Sequence, residues 1–153
     1  MLQIKNLTIT HKKDLRTMIE NFSLVLHHGD KAVIIGEEGN GKSTLLKWLY
    51  QPSSIEDYTE ASGERIINKE RIAYLPQELD KSDLSKTIYE FFSEEELFWE
   101  QTSAQLGKLA KEFHFPKEIF YEEQKMETLS GGEKVKIQMM RLLISQPTIL
   151  LLD

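Results

Sequence analysis

The stretch Gly36-Glu37-Glu38-Gly39-Asn40-Gly41-Lys42-Ser43 is the most informative part of the sequence. An apolar run at 32–35 precedes it and favours a strand buried on both faces, whereas the apolar spacing of residues 42–50 favours a helix. Glycines between a strand and a helix tolerate a sharp turn and let backbone N–H groups converge on phosphate oxygens. The Gly-x-x-x-x-Gly-Lys-Ser pattern therefore predicts a phosphate-binding loop.

Three consecutive residues of this loop suit the chemistry of a nucleoside triphosphate. A helix that begins at Gly41 directs the positive end of its dipole toward an anion. Lys42 is long enough to reach the β- and γ-phosphates, and the Ser43 hydroxyl is of a size to bind Mg²⁺. The alternative is a glycine-rich turn with a lysine nearby, which would not explain the flanking strand and helix.

A second glycine motif, Leu129-Ser130-Gly131-Gly132-Glu133, opens an amphipathic helix. Ser130 and Glu133 have the spacing of a capping box, which accounts for both of them structurally. Two adjacent glycines are not explained in this way, because each weakens a helix by about 1 kcal/mol relative to alanine. They make sense if another object, most naturally an anion, approaches the helix N-terminus closely. Capping and anion binding are compatible.

Two further polar residues follow apolar strands. The run 148–152 ends in Asp153, which at the carboxyl edge of a parallel sheet would hold Mg²⁺ beside the phosphate loop. Asp153 is alternatively just the last residue of the sequence. Gln77 follows the strand-like run 72–75 and Pro76 and could reach the same metal or the attacking water, although a lone glutamine in a loop is usually solvated.

Elsewhere the sequence pattern predicts a mixture of strands and helices. Alternating apolar residues favour strands within the first 26 residues, and residues 53–65 are polar and typical of a loop. Helical spacing extends over 87–113, where Ser93-Glu94-Glu95-Glu96 resembles a capping box that restarts a helix.

Composition narrows the class of protein. The chain of 153 residues is 40% hydrophobic, which suits one globular domain with its own core. A net charge of −6 argues against a surface dominated by basic residues that bind nucleic acid, although it leaves a local basic patch open. No apolar run approaches the roughly 20 residues of a membrane span. The N-terminus lacks the pattern of a signal peptide, and there are no cysteines. We therefore expect a soluble, cytoplasmic domain.

The order of these motifs resembles an ATP-binding cassette (ABC) ATPase over essentially the whole chain. The resemblance implies an α/β fold, namely a P-loop nucleotide-binding domain with an antiparallel β-subdomain and a helical subdomain, incomplete at its C-terminus. Residues 1–79 and 129–153 would form the β-subdomain and the P-loop core, and 80–128 the helical subdomain. ATP and Mg²⁺ are the implied cofactors, and two cassettes are expected to dimerise head to tail.

The resemblance also assigns roles to residues. Lys42, Gln77 and Asp153 would be catalytic, and Ser43, Gln77 and Asp153 would surround Mg²⁺. The Ser130 turn would face the γ-phosphate held by the partner cassette. The implied nucleotide-binding residues are Gly36, Glu37, Gly39, Asn40, Gly41, Lys42, Ser43, Thr44, Ser130, Gly131, Gly132 and Glu133.

Two departures from the family pattern stand out. No tyrosine precedes Tyr50 to stack on adenine, so either His11 substitutes for it or the stacking is weak. The family's catalytic glutamate would come directly after Asp153, where the sequence ends. This piece alone is therefore predicted to be a weak or inactive ATPase.

Three kinds of cassette are compatible with these residues. Glu133-Lys134 and the lack of a membrane segment favour a soluble ABC-F-like protein that acts on the ribosome, although the 53-residue interval from Gln77 to Ser130 (130 − 77) leaves no room for a long inserted arm. An ATPase subunit docked to a membrane permease is the alternative, as is a regulatory module that binds ATP without hydrolysing it. A permease groove would include aromatic residues that otherwise belong to the core: Tyr89, Phe91, Phe92, Phe98 and Trp99.

Overall fold

The computed structural model describes all residues from Met1 to Asp153, which form two compact units. The first unit consists of residues 1–74 and 148–153, and the second of residues 75–147. The strands are β1 Leu2–His11, β2 Thr17–Leu26, β3 Thr59–Ile67, β4 Ile72–Leu75 and β5 Ile149–Leu152. The helices are α1 Lys42–Tyr50, α2 Lys81–Leu84, α3 Ile88–Ser93, α4 Ser103–Glu112 and α5 Gly131–Ile144.

An antiparallel sheet with strand order β2-β1-β3 dominates the first unit. The central strand β1 buries four apolar side chains, Leu2, Ile4, Leu7 and Ile9. Their alternation changes phase between Ile4 and Leu7, where the register of both strand pairs shifts. An irregularity at this point keeps both apolar pairs on the core face, because one extra residue reverses the side chains that follow.

Gly63 of β3 makes that irregularity sterically feasible. It lies opposite Asn6 and Leu7 and has a φ of +124°. A Cβ atom at this position would stand 2.7 Å from the Cα atom of Leu7 and 2.9 Å from the carbonyl oxygens of Lys5 and Asn6. Both the backbone angle and the close approach therefore require glycine.

Gly63→Ala is expected to lower the free energy of unfolding by about 3 kcal/mol, since the substitution combines an unfavourable φ with a backbone clash. Urea unfolding would measure the loss. The matched control is Gly107→Ala in α4, where a Cβ meets nothing within 4 Å and φ is not positive. That change should stabilise the helix by up to about 1 kcal/mol. Equal effects of the two substitutions would contradict the explanation.

The prediction of a loop over residues 53–65 is wrong in its second half. Thr59–Ile67 forms β3, which pairs with β1 along its length. The segment has little apolar alternation because most of its side chains are exposed. Its strand structure comes from the hydrogen bonds to β1, which a sequence pattern does not reveal.

The predicted buried strand at 32–35 is also not observed. These residues have no regular secondary structure, and Val33 and Ile35 are 83% and 92% exposed. An apolar run becomes a strand only where neighbouring strands accept its backbone hydrogen bonds. Here β4 and β5 pair with each other in a two-stranded sheet, and no strand pairs with 32–35.

The two-stranded sheet and α1 position the polar residues of the first unit. At one end, the backbone N–H groups of Thr148 and Ile149 donate to the Arg71 carbonyl oxygen. At the other end, Tyr74 hydrogen bonds to Asp153, so β4 and β5 run in the same direction. The predicted helix 42–50 is confirmed as α1, whose buried residues Leu45, Trp48 and Leu49 join the core of β1.

The second unit is helical and has a separate core. Its fully buried residues include Phe92, Phe120, Met126, Ile137 and Met140. The helical prediction for 87–113 holds in part, because α3 and α4 are distinct helices joined by a short 3-10 turn.

The predicted capping box at Ser93 is wrong. Ser93 lies at the end of α3, where its hydroxyl donates to the Tyr89 carbonyl oxygen. The capping boxes of α3 and α4 begin instead at Thr87 and Thr102. Thr87, Ser93 and Thr102 are each followed three residues later by Glu or Gln, so the spacing of a capping box alone did not show which of them begin a helix.

Candidate functional site

The glycine loop leads into α1 through two left-handed residues. Gly39 and Gly41 have φ values of +79° and +80°, and Gly41 is the N-cap of α1. No side chain caps this helix end. A Cβ on Gly41 would also stand 3.0 Å from the Cβ of Met18. The first-turn N–H groups of α1 therefore meet the requirements of an anion-binding helix N-terminus.

Two cations hold the carbonyl side of the loop. Lys42 Nζ donates to the carbonyl oxygens of Gly36 and Glu37, at 2.8 and 2.6 Å. Arg16, from the turn before β2, donates through Nη2 to the carbonyl oxygen of Gly39 at 3.0 Å. Both cations thus lie beside the loop, which itself carries two exposed acidic residues, Glu37 and Glu38. The sequence did not predict that Arg16 belongs to the site, because no pattern among its neighbouring residues indicates a contact with the loop.

Ser43 and Asp153 meet directly. The Ser43 hydroxyl in the first turn of α1 donates to Oδ1 of Asp153, which follows β5, at 2.7 Å. The structure thus brings together two predicted magnesium ligands that lie 110 residues apart. A hydroxyl and a carboxylate beside a phosphate loop fit the oxygen ligands that Mg²⁺ prefers.

Tyr74 is a second residue that the sequence analysis missed. Its hydroxyl donates to Oδ2 of Asp153 at 2.6 Å, and its ring stacks on Tyr50 with the centroids 5.6 Å apart. Burial, together with the hydrogen bond to the Asp153 carboxylate, raises the pKa of the Tyr74 phenol. A tyrosine in a strand otherwise made of apolar residues was the one available signal.

The predicted capping box at Ser130 is confirmed. The Ser130 hydroxyl accepts from the Glu133 N–H at 3.3 Å, and Glu133 Oε2 accepts from the Ser130 N–H at 2.8 Å. That N–H donor lowers the pKa of the Glu133 carboxyl below its usual value. The box stabilises the first turn of α5, where an acidic side chain also suits the helix dipole.

Gly131 and Gly132 have no structural reason within the chain. Neither has a positive φ, and a Cβ on either would meet nothing within 4 Å. Alanine would fit both positions and would favour the helix. The pair therefore leaves a bare, exposed helix start.

The structure places the remaining predicted residues in different parts of the chain. Glu37 and Asn40 are exposed and joined by a turn hydrogen bond, and Thr44 is half-buried in α1. Gln77 lies in the second unit, exposed in a bend after β4. His11 ends β1, hydrogen bonds to Asp14 at 3.0 Å, and has its ring 6.3 Å from that of Tyr58.

The aromatic residues considered for a permease groove divide into two groups. Phe91, Phe92 and Phe98 belong to the buried core of the second unit. Trp99 and Tyr121 are 62% and 58% exposed, and the half-buried Tyr89 ring lies between them at 6.4 and 6.2 Å. Together these rings form the exposed aromatic patch, which consists of Tyr89, Trp99 and Tyr121.

A glycine loop that opens a helix, with a hydroxyl and an aspartate beside it, defines a P-loop nucleotide-binding domain. Comparison with known proteins identifies the family within this broad class. The family model of ABC transporters matches residues 19–153, and the chain belongs to this family. No helix has both the length and the apolar character needed to cross a bilayer.

Proteins of two functional kinds are similarly identical to this chain in sequence. The zinc import ATP-binding protein ZnuC of Haemophilus influenzae is 32% identical over the full chain and is covered over 53% of its own length. The ribosome protection protein VmlR of Bacillus subtilis is 31% identical over 99% of the chain, which covers 26% of that protein. The chain spans about half the length of the zinc import relatives that it matches.

Solved structures agree on the fold. An ATP-binding subunit of an ABC transporter superposes with a TM-score of 0.73 at 20% identity, covering 99% of this chain and 65% of that one. The CbiO1 protein of Clostridium perfringens gives 0.69 at 19% identity, covering 99% and 64%. These likenesses confirm the predicted α/β P-loop fold of the ABC type.

Proposed function

We propose that this chain binds ATP with Mg²⁺, and that the whole protein to which it belongs hydrolyses ATP. The observation that carries the proposal is the uncapped N-terminus of α1 at Gly41, flanked by Lys42 and by the hydrogen-bonded pair Ser43–Asp153. Backbone N–H groups and an ammonium bind phosphates, whereas the two oxygen groups suit a metal.

Each residue of the loop has a defined part in this proposal. The N–H groups around Gly39 and Gly41 bind phosphate oxygens, and Lys42 exchanges its bonds to the loop carbonyls for bonds to the β- and γ-phosphates. Ser43 and Asp153 would hold Mg²⁺, which neutralises phosphate charge. Gln77 is proposed to complete the metal site or to orient the attacking water.

Binding measurements by calorimetry test the proposal. With Mg²⁺ present, ATP is expected to bind about a hundredfold more tightly than AMP, because the charged contacts are made to the β- and γ-phosphates. Equal affinity for ATP and AMP would place the contacts on the nucleoside and contradict it. So would the absence of ATP binding.

We also propose that a second cassette completes the site. The support is the bare start of α5, where Gly131 and Gly132 leave room that the chain itself does not fill. A phosphate held by the loop of a partner cassette has the size and charge to approach it. The Ser130 turn would then contact the γ-phosphate from the other side.

Two of the three kinds of cassette have specific support as the type of the whole protein. The ABC-F-like reading rests on Glu133-Lys134 and on the 31% identity to a ribosome protection protein. An ATPase subunit of a membrane transporter is supported by the 32% identity to a zinc import ATP-binding protein. The exposed aromatic patch adds to this second reading, because exposed clustered aromatic rings are typical of contact surfaces.

Fractionation of cells that express the whole protein separates these two kinds of cassette. Co-sedimentation with ribosomes that is lost at high salt would support the ABC-F-like reading. Recovery with membranes, reduced by a Trp99→Ala and Tyr121→Ala double substitution, would support the transporter subunit. ATP binding without turnover in the whole protein would instead favour the regulatory module.

A further inference from the structure

The Asp153 carboxylate is held on both of its oxygens by hydroxyl groups from different elements. Ser43, in the first turn of α1, donates to Oδ1 at 2.7 Å, and Tyr74 of β4 donates to Oδ2 at 2.6 Å. A carboxylate with one donor on each oxygen cannot rotate about its last side-chain bond without losing a hydrogen bond. Its orientation is therefore fixed from two sides.

The hydroxyl of Tyr74 is itself held in place. The ring stacks on Tyr50 at an interplanar angle of 26°, and Tyr50 is the last residue of the helix that carries Ser43. The contacts thus form a closed circuit that runs from Ser43 to Asp153, on to Tyr74 and Tyr50, and back along α1. A closed circuit between a helix and two strands restricts each of its members.

We propose that Tyr74 is a positioning residue of the magnesium site: its hydroxyl holds Oδ2 of Asp153 and thereby directs Oδ1 toward Ser43. The inference rests on the proposed function, because it concerns the metal that accompanies ATP. Tyr74 makes no hydrogen bond to the glycine loop, so its effect on metal binding passes through Asp153. The binding of ATP without metal does not depend on it.

Tyr74→Phe removes the hydroxyl and keeps the ring that stacks on Tyr50. The matched control is Tyr50→Phe, because the Tyr50 ring remains and its hydroxyl makes no hydrogen bond to Asp153. Both variants are made in the whole protein. A thermal melt establishes that each is folded before binding is measured.

The affinity for ATP is then measured by calorimetry in two conditions, once with excess Mg²⁺ and once with EDTA. Wild-type protein and Tyr50→Phe are expected to gain affinity from Mg²⁺ equally. In Tyr74→Phe the gain in ATP affinity from Mg²⁺ should be about tenfold smaller, as expected for the loss of one hydrogen bond to a charged acceptor. Its ATP affinity in EDTA should stay within about twofold of wild type.

Each other outcome identifies what is wrong. An unchanged gain in Tyr74→Phe overturns the positioning role, and an equal loss with and without Mg²⁺ shows a general structural role instead. If wild-type protein binds ATP but gains nothing from Mg²⁺, the inference fails and ATP binding survives. Should wild-type protein bind no ATP at all, the proposed function fails and the inference falls with it.

Discussion

Lys42→Ala is expected to weaken ATP binding by at least about a hundredfold and to abolish the ATP-dependent rise in melting temperature. Lys42 is the first residue of α1, and its ammonium is bonded to the carbonyl oxygens of Gly36 and Glu37. Alanine removes both the cation that is proposed to bind the phosphates and the bonds that hold the loop. The melting temperature without ligand should change little, because these bonds lie at an exposed loop.

Lys47→Ala is the matched control for this prediction. Lys47 lies in the last turn of the same helix and is exposed, so its removal subtracts the same charge at the far end of α1. ATP affinity is expected to change by less than about twofold, since an exposed charge interacts only weakly with another through water. A comparable loss in both variants would indicate a long-range charge effect and would contradict a direct role of Lys42.

Local rules predicted the parts of the site that depend on neighbouring residues in sequence. The glycine loop, the helix after it and the capping box of Ser130 and Glu133 each follow from residues a few positions apart, and all three are observed. Backbone angles and capping bonds are set within one helical turn, which explains why a pattern was sufficient.

Other features depend on partners that are distant in sequence. The strand prediction at 32–35 failed because no strand pairs with that run, and β3 was missed because β1 supplies its hydrogen bonds. Tyr74 meets Asp153 across 79 residues, and Arg16 meets Gly39 across 23. Contacts of this kind are created by the fold, and no local spacing encodes them.

The glycine pair at the start of α5 offers a test in which stability and function should change in opposite directions. Gly131→Ala and Gly132→Ala place a methyl group where nothing lies within 4 Å, at positions with ordinary φ. Each is expected to raise the free energy of unfolding by up to about 1 kcal/mol, because alanine favours a helix. Urea unfolding would measure this gain.

ATP turnover by the whole protein should nevertheless fall by more than about tenfold in the same variants, since a methyl group keeps a partner's phosphate from the helix N-terminus. ATP binding by the chain's own loop should persist. Gly107→Ala in α4 also adds a methyl group to a helical glycine with nothing within 4 Å and is expected to leave turnover unchanged. Full turnover in the Gly131 and Gly132 variants would remove the reason for proposing that a second cassette meets this helix. A fall in stability would show instead that the glycines serve the fold. Higher stability combined with lower turnover would indicate that the glycines are needed for a contact with another molecule and not for folding.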